Sequence, residues 1–223
     1  MQMRFVFLDL DGTLTDSVSE ILNSILYALE KIPLPHFEAS GSWTIGPPIW
    51  PKFEKLGVEK ASLDNAVALY RELYTDIGWS ENSLYDGVLE QLSILKGQGY
   101  KLYIAMLKHC SYAKKITAYF GISDFMTCEF GSELDGTRSD KTSLLIHGLV
   151  VAGDLAESSL MIGDIYYDDI GAKNNKIVGA SYGYGGNAEL IEPDSDAPIS
   201  DISELPSIVT SFLPLKDSYN GQD

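Results

Sequence analysis

Positive charge is scarce in this chain of 223 residues, in which 16 lysines and arginines face 32 aspartates and glutamates. The formal net charge of −16 disfavours a protein that binds nucleic acid or an anionic membrane surface, because both need a field of basic side chains. A small anionic substrate remains compatible with this charge, since a local cluster of basic groups can outweigh the field of the whole molecule. We therefore expect no nucleic-acid partner and no membrane partner.

Cysteines and long apolar runs are scarce too. The two cysteines, Cys110 and Cys128, are too few for a disulfide framework and form no Cys-x-x-Cys motif, which favours a reducing compartment. No stretch approaches the roughly 18 apolar residues of a transmembrane helix, and the apolar residues 5–8 are too few for a signal peptide. We expect a cytoplasmic protein.

The composition is otherwise that of a folded protein, with 45% hydrophobic and 22% charged residues. Apolar runs without polar alternation are typical of parallel strands covered on both faces. They occupy residues 5–8, 100–107, 125–130, 159–164 and 177–181. Helical patterns separate the later runs, so the sequence predicts an α/β fold with a doubly wound parallel sheet.

The region between the first strand and residue 82 lacks strand patterns. Apolar residues recur at helical spacing after Ser17, and again over about 62–78, with prolines at positions 33 and 35 ending the first helix. Ser17 and Glu20 match a capping box. We interpret residues 16–82 as a helical cap domain inserted into a core domain of residues 1–15 and 83–223.

Two acidic clusters follow predicted strands. Asp9 and Asp11 come after the first strand, and Asp164 and Asp168 come at and after the end of the strand predicted at 159–164. The carboxyl ends of parallel strands are where open α/β sheets bind ligands, and facing carboxylates repel unless a cation or proton lies between them. If the two strands are neighbours, the four carboxylates form an oxygen-rich pocket suited to Mg²⁺.

These features resemble the haloacid dehalogenase superfamily in its phosphatase form. Residues 9–17, DLDGTLTDS, resemble the first motif of that family. Lys141, at the start of a predicted helix, resembles the third motif, and residues 163–168, GDIYYD, resemble the fourth. The order and spacing agree, and so does a helical cap placed after the first motif.

Three shorter segments resemble the phosphoglycolate phosphatase-like branch more closely. They are residues 45–48 (IGPP), 70–72 (YRE) and 182–185 (YGYG). The whole resemblance covers residues 4–210, approximately.

The resemblance implies a two-step phosphoryl transfer. Asp9 would attack phosphorus to form an aspartyl-phosphate, and Asp11 would protonate the leaving oxygen and then activate water. Mg²⁺ would be held by Asp9, the main-chain carbonyl of Asp11, Asp164 and Asp168. Lys141 would screen the nucleophile and the phosphoryl group, because a carboxylate that attacks an anion is otherwise repelled.

The second motif departs from the family, in which a Ser or Thr at a strand end holds the phosphate. The matching residues 105–109 read AMLKH, and a lost hydrogen bond to a charged group is worth roughly 1.5–3 kcal/mol. By the same resemblance, a further set of residues binds the phosphate or selects the leaving group. These are Gly12, Thr13, Met106, Leu107, Lys108 and, in the cap, Arg71.

The leading hypothesis is a Mg²⁺-dependent phosphomonoesterase acting on a small phosphorylated metabolite. A sugar phosphomutase shares every core residue and stays an alternative, whereas a haloacid dehalogenase needs neither Mg²⁺ nor an acid at Asp11. A non-catalytic, phosphatase-like binding protein is favoured only by the apolar Met106 and Leu107. The sequence leaves open which phosphorylated molecule is the substrate and whether the protein is a monomer or a homodimer.

Overall fold

The computed structural model describes residues 4–32, 49–133, 138, 140–153, 158–164, 176–184 and 197–214. The chain divides into two compact units. The sheet unit comprises Met1–Leu14 and Tyr85–Asp223, and the helical unit comprises Thr15–Leu84.

Strands and helices alternate along most of the sheet unit, and the elements of both units are numbered together along the chain. The strands are β1 (Phe5–Leu8), β2 (Thr15–Asp16), β3 (Ser83–Leu84), β4 (Lys101–His109), β5 (Met126–Ser132), β6 (Ser159–Gly163), β7 (Lys176–Ala180) and β8 (Ala197–Ile199). The helices are α1 (Val18–Glu30), α2 (Ile49–Lys55), α3 (Leu63–Asp76), α4 (Val88–Gly97), α5 (Cys110–Tyr119), α6 (Lys141–Ala152) and α7 (Leu205–Phe212).

Among the described residues, six strands of the sheet unit form one parallel sheet in the order β5-β4-β1-β6-β7-β8. This confirms the predicted α/β fold. Helix α5 connects the parallel neighbours β4 and β5, and α6 connects β5 to β6 on the other side of β1; parallel strands require such crossover connections. The central strand β1 is completely or almost completely buried at every position, Phe5–Leu8, which explains its unbroken apolar sequence. The predicted strands lie within two residues of the observed ones, whereas β2, β3, β8, α2 and α7 are not predicted by the sequence.

An aromatic layer joins the sheet to helix α6. The ring centroids of Phe7 and Tyr103 are 5.1 Å apart, and those of Tyr103 and Phe130 are 6.0 Å apart. Gly148 of α6 meets this layer so closely that a Cβ there would lie 2.9 Å from Cε1 of Phe7. The close approach fixes α6, and with it the residue at its amino end, Lys141, against the sheet.

The helical unit has its own apolar core. Helices α1, α2 and α3 contribute buried side chains that include Ile25, Phe53 and Val67. The predicted capping box is wrong: Ser17 makes no side-chain capping hydrogen bond. The completely buried Glu20 instead accepts a hydrogen bond of 3.0 Å from the Tyr74 hydroxyl. The tertiary partner therefore replaces the local one, as expected when a carboxylate must be paired on burial.

In the described part of the chain, every helix is too short or too polar to span a bilayer.

The aromatic layer generates a stability prediction. Phe7→Ala removes a completely buried ring and should lower the free energy of unfolding by about 3–5 kcal/mol. Ile146→Ala, at a position of α6 that is 56% exposed, is the control and should change it by less than about 0.5 kcal/mol. Urea unfolding monitored by circular dichroism measures both. Equal losses for the two variants would contradict the assignment of the layer as the core.

Candidate active site

The two acidic segments leave the sheet at the same edge. Strands β1 and β6 are parallel neighbours, with Leu8 opposite Ile162. The main-chain N–H of Asp9 donates to the carbonyl of Ile162 at 2.9 Å, so the ladder continues to the first acidic residue. Asp164 directly follows β6. The neighbouring strands thus bring together segments that lie about 150 positions apart in the chain.

Asp9 is paired with a buried lysine. The Lys141 ammonium donates to Oδ2 of Asp9 at 2.7 Å, and the side chains of the two residues are 2% and 15% exposed. The N–H of Leu10 donates to the other oxygen, Oδ1, at 2.7 Å. A buried ammonium is stable only when it is paired in this way, so the lysine and the carboxylate fix each other.

The start of α6 holds Lys141 in place. Asp140 is the N-cap and accepts a hydrogen bond of 2.8 Å from the N–H of Ser143. Hydrogen bonds from the main chain and hydroxyl of Ser143 hold the pKa of Asp140 below its ordinary value. The cap therefore stays charged and stabilises the first turn of the helix.

Asp11 is paired with a second lysine. The ammonium of Lys108 lies 2.8 Å from each of the Asp11 oxygens, and the side chains are 11% and 20% exposed. The family resemblance assigns Lys108 to phosphate binding, and nothing in the sequence indicates its contact with Asp11. Each of the two motif carboxylates thus has its own ammonium group.

Asp164 lies in a tight place beside the first motif. Its side chain is completely buried, and its Oδ2 accepts a hydrogen bond of 2.8 Å from the N–H of Tyr184. A Cβ on Gly12 would lie 2.1 Å from that oxygen, and Gly12 has φ +77°. Both the space and the backbone conformation therefore require glycine at this position.

Two residues of the second motif, Met106 and Leu107, lie in or against the hydrophobic core. Met106 is 1% exposed, and Leu107 packs against the aromatic layer. The carbonyl of Leu107 accepts a hydrogen bond of 2.8 Å from the Ser132 hydroxyl. These two positions supply main-chain groups but no polar side chain. The hydroxyl of Thr13, in contrast, is buried and has no hydrogen-bond partner among the described residues.

Three further predicted features lie in the helical unit or outside the described residues. Arg71 lies in the helical unit on α3, with its guanidinium carbon 5.1 Å from the centre of the Trp50 ring. Asp168 and the segment 45–48 lie outside the described residues.

The donor set fits Mg²⁺, although the described residues contain no preassembled group of three acidic, His or Cys side chains. The carboxylates of Asp9 and Asp164 and the main-chain carbonyl of Asp11 are hard oxygen donors of the kind that Mg²⁺ takes, together with water and substrate oxygens. Complete burial of the Asp164 carboxylate favours a nearby cation, because an isolated buried charge is costly.

The formal charges of the described site residues also favour a cation. With all three carboxylates ionised, Asp9, Asp11 and Asp164 together outweigh Lys108 and Lys141 by one negative charge. A divalent cation would make this group positive by one charge and so complementary to a phosphate ester dianion.

Comparison with known proteins agrees with this geometry. Residues 6–180 match the family model described as haloacid dehalogenase-like hydrolase. The chain is 36% identical to a 5'-nucleotidase of Pseudomonas aeruginosa, covering 92% of this chain and 95% of that protein. It is 34% identical to the tyrosine-protein kinase PtkA of Mycobacterium tuberculosis, covering 88% and 68%.

Further relatives named phosphoglycolate phosphatase are 26% identical, in agreement with the branch that the sequence resembles. Among solved structures, a predicted phosphatase of Clostridium acetobutylicum superposes with a TM-score of 0.84 at 30% identity. The match covers 95% of this chain and all of that one.

Proposed function

This chain belongs to the haloacid dehalogenase-like hydrolases, and we propose that it is a Mg²⁺-dependent phosphomonoesterase that works through an aspartyl-phosphate. The observation that carries the proposal is the contact between Asp9 and the buried Lys141, with a 2.7 Å ion pair at the carboxyl edge of the sheet. A carboxylate in that place is suited to act as a nucleophile on phosphorus.

In the first step, an oxygen of Asp9 forms a bond to phosphorus while the bond from phosphorus to the ester oxygen breaks. Both reactants are anions, so attack requires that their charges be neutralised. Lys141 supplies a positive charge that needs no rearrangement, because its ammonium is already fixed by burial and by α6.

Asp11 handles the proton in both steps. It must carry a proton when the ester bond breaks: it gives that proton to the leaving oxygen, and it later takes a proton from the water that attacks phosphorus and releases Asp9. Lys108 contacts both oxygens of Asp11 in the structure. We assign it the task of orienting this carboxylate and then of contacting the arriving phosphoryl oxygens, where a Ser or Thr of the second motif would otherwise donate.

The cation would be held by Asp9, the main-chain carbonyl of Asp11, Asp164 and Asp168. Bound Mg²⁺ supplies electrophilic stabilisation of the negative charge that develops on the transferred phosphoryl group. Gly12 keeps the space that the Asp164 carboxylate needs.

The proposed substrate class rests on the names of the similar proteins. Because the chain aligns over 92% of its length with a protein named 5'-nucleotidase, we propose nucleoside 5'-monophosphates as substrates. Arg71, whose guanidinium carbon lies 5.1 Å from the centre of the Trp50 ring within the helical unit, is the residue that the family resemblance assigns to selection of the leaving group. Phosphoglycolate is the competing substrate, and a sugar phosphomutase would return the phosphoryl group to the sugar rather than to water.

The nucleophile provides the first test. Asp9→Asn should lower phosphate release to below about 1% of the wild-type rate, because an amide cannot form the acyl-phosphate. The measurement is release of inorganic phosphate from nucleoside 5'-monophosphates, phosphoglycolate and glucose phosphates. Asp124→Asn, at an exposed position, is the matched control and should leave the rate unchanged. An Asp9→Asn protein with more than a few per cent of wild-type activity would sink the assignment.

The metal provides the second test. Activity should be lost in EDTA and restored by Mg²⁺, and Asp164→Asn should raise the Mg²⁺ concentration for half-maximal activity by at least about 10-fold. The amide has the same shape, so the packing against Gly12 is kept while the charge is removed. Full activity in EDTA would contradict the metal-dependent mechanism.

The second motif provides the third test. Lys108→Met should lower kcat/KM by about 10- to 150-fold, since a hydrogen bond to a charged group is worth roughly 1.5–3 kcal/mol. Lys101→Met, at an exposed position on the same strand, is the control. Met106→Thr should raise the wild-type kcat/KM by about 10-fold and recover part of the loss in Lys108→Met, because the hydroxyl and the ammonium serve the same oxygens.

Steady-state kinetics of the wild type, the three single variants and the double variant Lys108→Met with Met106→Thr decide this point. Urea unfolding checks that the smaller Thr side chain is tolerated. Unchanged kinetics for Lys108→Met would remove Lys108 from the mechanism. A rate for Met106→Thr at or below that of the wild type would show that Met106 does not stand at an unfilled phosphate contact.

A further inference from the structure

The loop that follows β7 contacts the site at three points, although it carries no charged side chain. The loop comprises residues 181–184. Ser181 anchors its start, since both its N–H and its hydroxyl donate to the carbonyl of Ile199 at 2.9 Å. The N–H of Gly183 donates to the carbonyl of Ala180 at 3.1 Å. The loop is thus tied to the sheet before it reaches the site residues.

Tyr182 is hydrogen-bonded to the main chain of the first motif. Its hydroxyl donates to the carbonyl of Thr13 at 2.9 Å, and its ring meets the Tyr85 ring edge to face with centroids 5.4 Å apart. Burial, with the neighbouring Tyr85 and Asp164, raises the pKa of Tyr182 well above its ordinary value. The hydroxyl therefore stays protonated, and remains a donor, at neutral pH.

Gly183 allows the loop to touch the first motif. A Cβ on Gly183 would lie 2.2 Å from the carbonyl oxygen of Gly12 and 2.4 Å from Cβ of Asp164. The need for glycine here is one of space, since backbone and carboxylate stem leave no room for a methyl group. One residue of the loop is thus in contact with both acidic segments.

Tyr184 acts through its main chain. Its N–H donates to Oδ2 of the completely buried Asp164 at 2.8 Å. A carboxylate with one oxygen held by a fixed donor has a fixed orientation, and such partners of ligands commonly change metal affinity by 10- to 100-fold.

We propose that the loop of residues 181–184 positions the cation site, with Tyr182 as the residue that sets the first motif and the N–H of Tyr184 as the group that sets Asp164. This role rests on the proposed function, because it takes the carbonyl of Asp11 and the carboxylate of Asp164 as ligands. Tyr182 touches neither substrate nor cation. It is a positioning residue, acting on the Gly12–Thr13 turn that follows Asp11.

The test compares two tyrosines that make the same kind of bond. Tyr182→Phe removes the hydrogen bond to Thr13, whereas Tyr100→Phe removes an equivalent buried bond of 2.8 Å from a tyrosine hydroxyl to the carbonyl of Leu213. The probe is Mn²⁺, which takes the same oxygen ligands, with free ion measured by electron paramagnetic resonance in the absence of substrate. Thermal unfolding without metal reports the stability of each variant.

We expect the Mn²⁺ dissociation constant to rise about 10-fold in Tyr182→Phe and to stay within about 2-fold of wild type in Tyr100→Phe. Saturating Mg²⁺ should restore kcat in Tyr182→Phe, and thermal unfolding without metal should show that this variant is no less stable than Tyr100→Phe. Gly183→Ala, which presses on Gly12, should weaken Mn²⁺ binding further.

Equal Mn²⁺ affinities for Tyr182→Phe and wild type would overturn the positioning role, and so would an equal loss in both tyrosine variants. A wild type that binds no Mn²⁺ and is fully active in EDTA would overturn the positioning role together with the metal part of the proposed function. A wild type that binds Mn²⁺ tightly but hydrolyses no phosphate ester would overturn the proposed function alone.

Discussion

The buried ion pair between Lys141 and Asp9 is the constraint on which the site depends. An ammonium that is 2% exposed is stable only with a carboxylate partner, and loss of either member leaves an unpaired buried charge. The pair in turn requires that α6 be fixed against the sheet, which the contact of Gly148 with the aromatic layer provides. The core packing and the chemistry of the site therefore depend on each other, because the aromatic layer that stabilises the sheet unit also fixes the position of the Lys141 ammonium.

The strand order explains why residues so far apart in sequence act together. β1 lies between β4 and β6, so the segments that follow these three strands emerge side by side at one edge. Asp9 and Asp11 follow β1, Asp164 follows β6, and Lys108 lies at the end of β4. The loop after β7, next to β6, reaches the same place and contacts Gly12 and Asp164.

The sequence predicted those parts of the molecule that depend on local pattern. Unbroken apolar runs located the strands, and the paired acidic residues at their ends pointed to the site. The ion pair of Lys108 with Asp11 and the bond of Tyr182 to Thr13 could not be predicted, because each joins segments whose contact is set by tertiary packing. The Glu20–Tyr74 hydrogen bond shows the same limit, because Glu20 accepts from a residue 54 positions away and not from the local capping partner that the sequence predicts.

The apolar second motif has an electrostatic counterpart in Lys108. A hydroxyl offers one hydrogen bond and no charge, whereas an ammonium also attracts an anion at a distance, by about 4 kcal/mol for each unit of negative charge at 4 Å and an effective dielectric constant of 20. In a chain with a net charge of −16, such a local charge is needed to bring an anion to the site at all. Even with both lysines, the described carboxylates keep the site negative by one charge. In the proposed mechanism, a bound divalent cation would therefore raise the affinity for an anionic substrate, and the substrate would raise the affinity for the cation by the same factor.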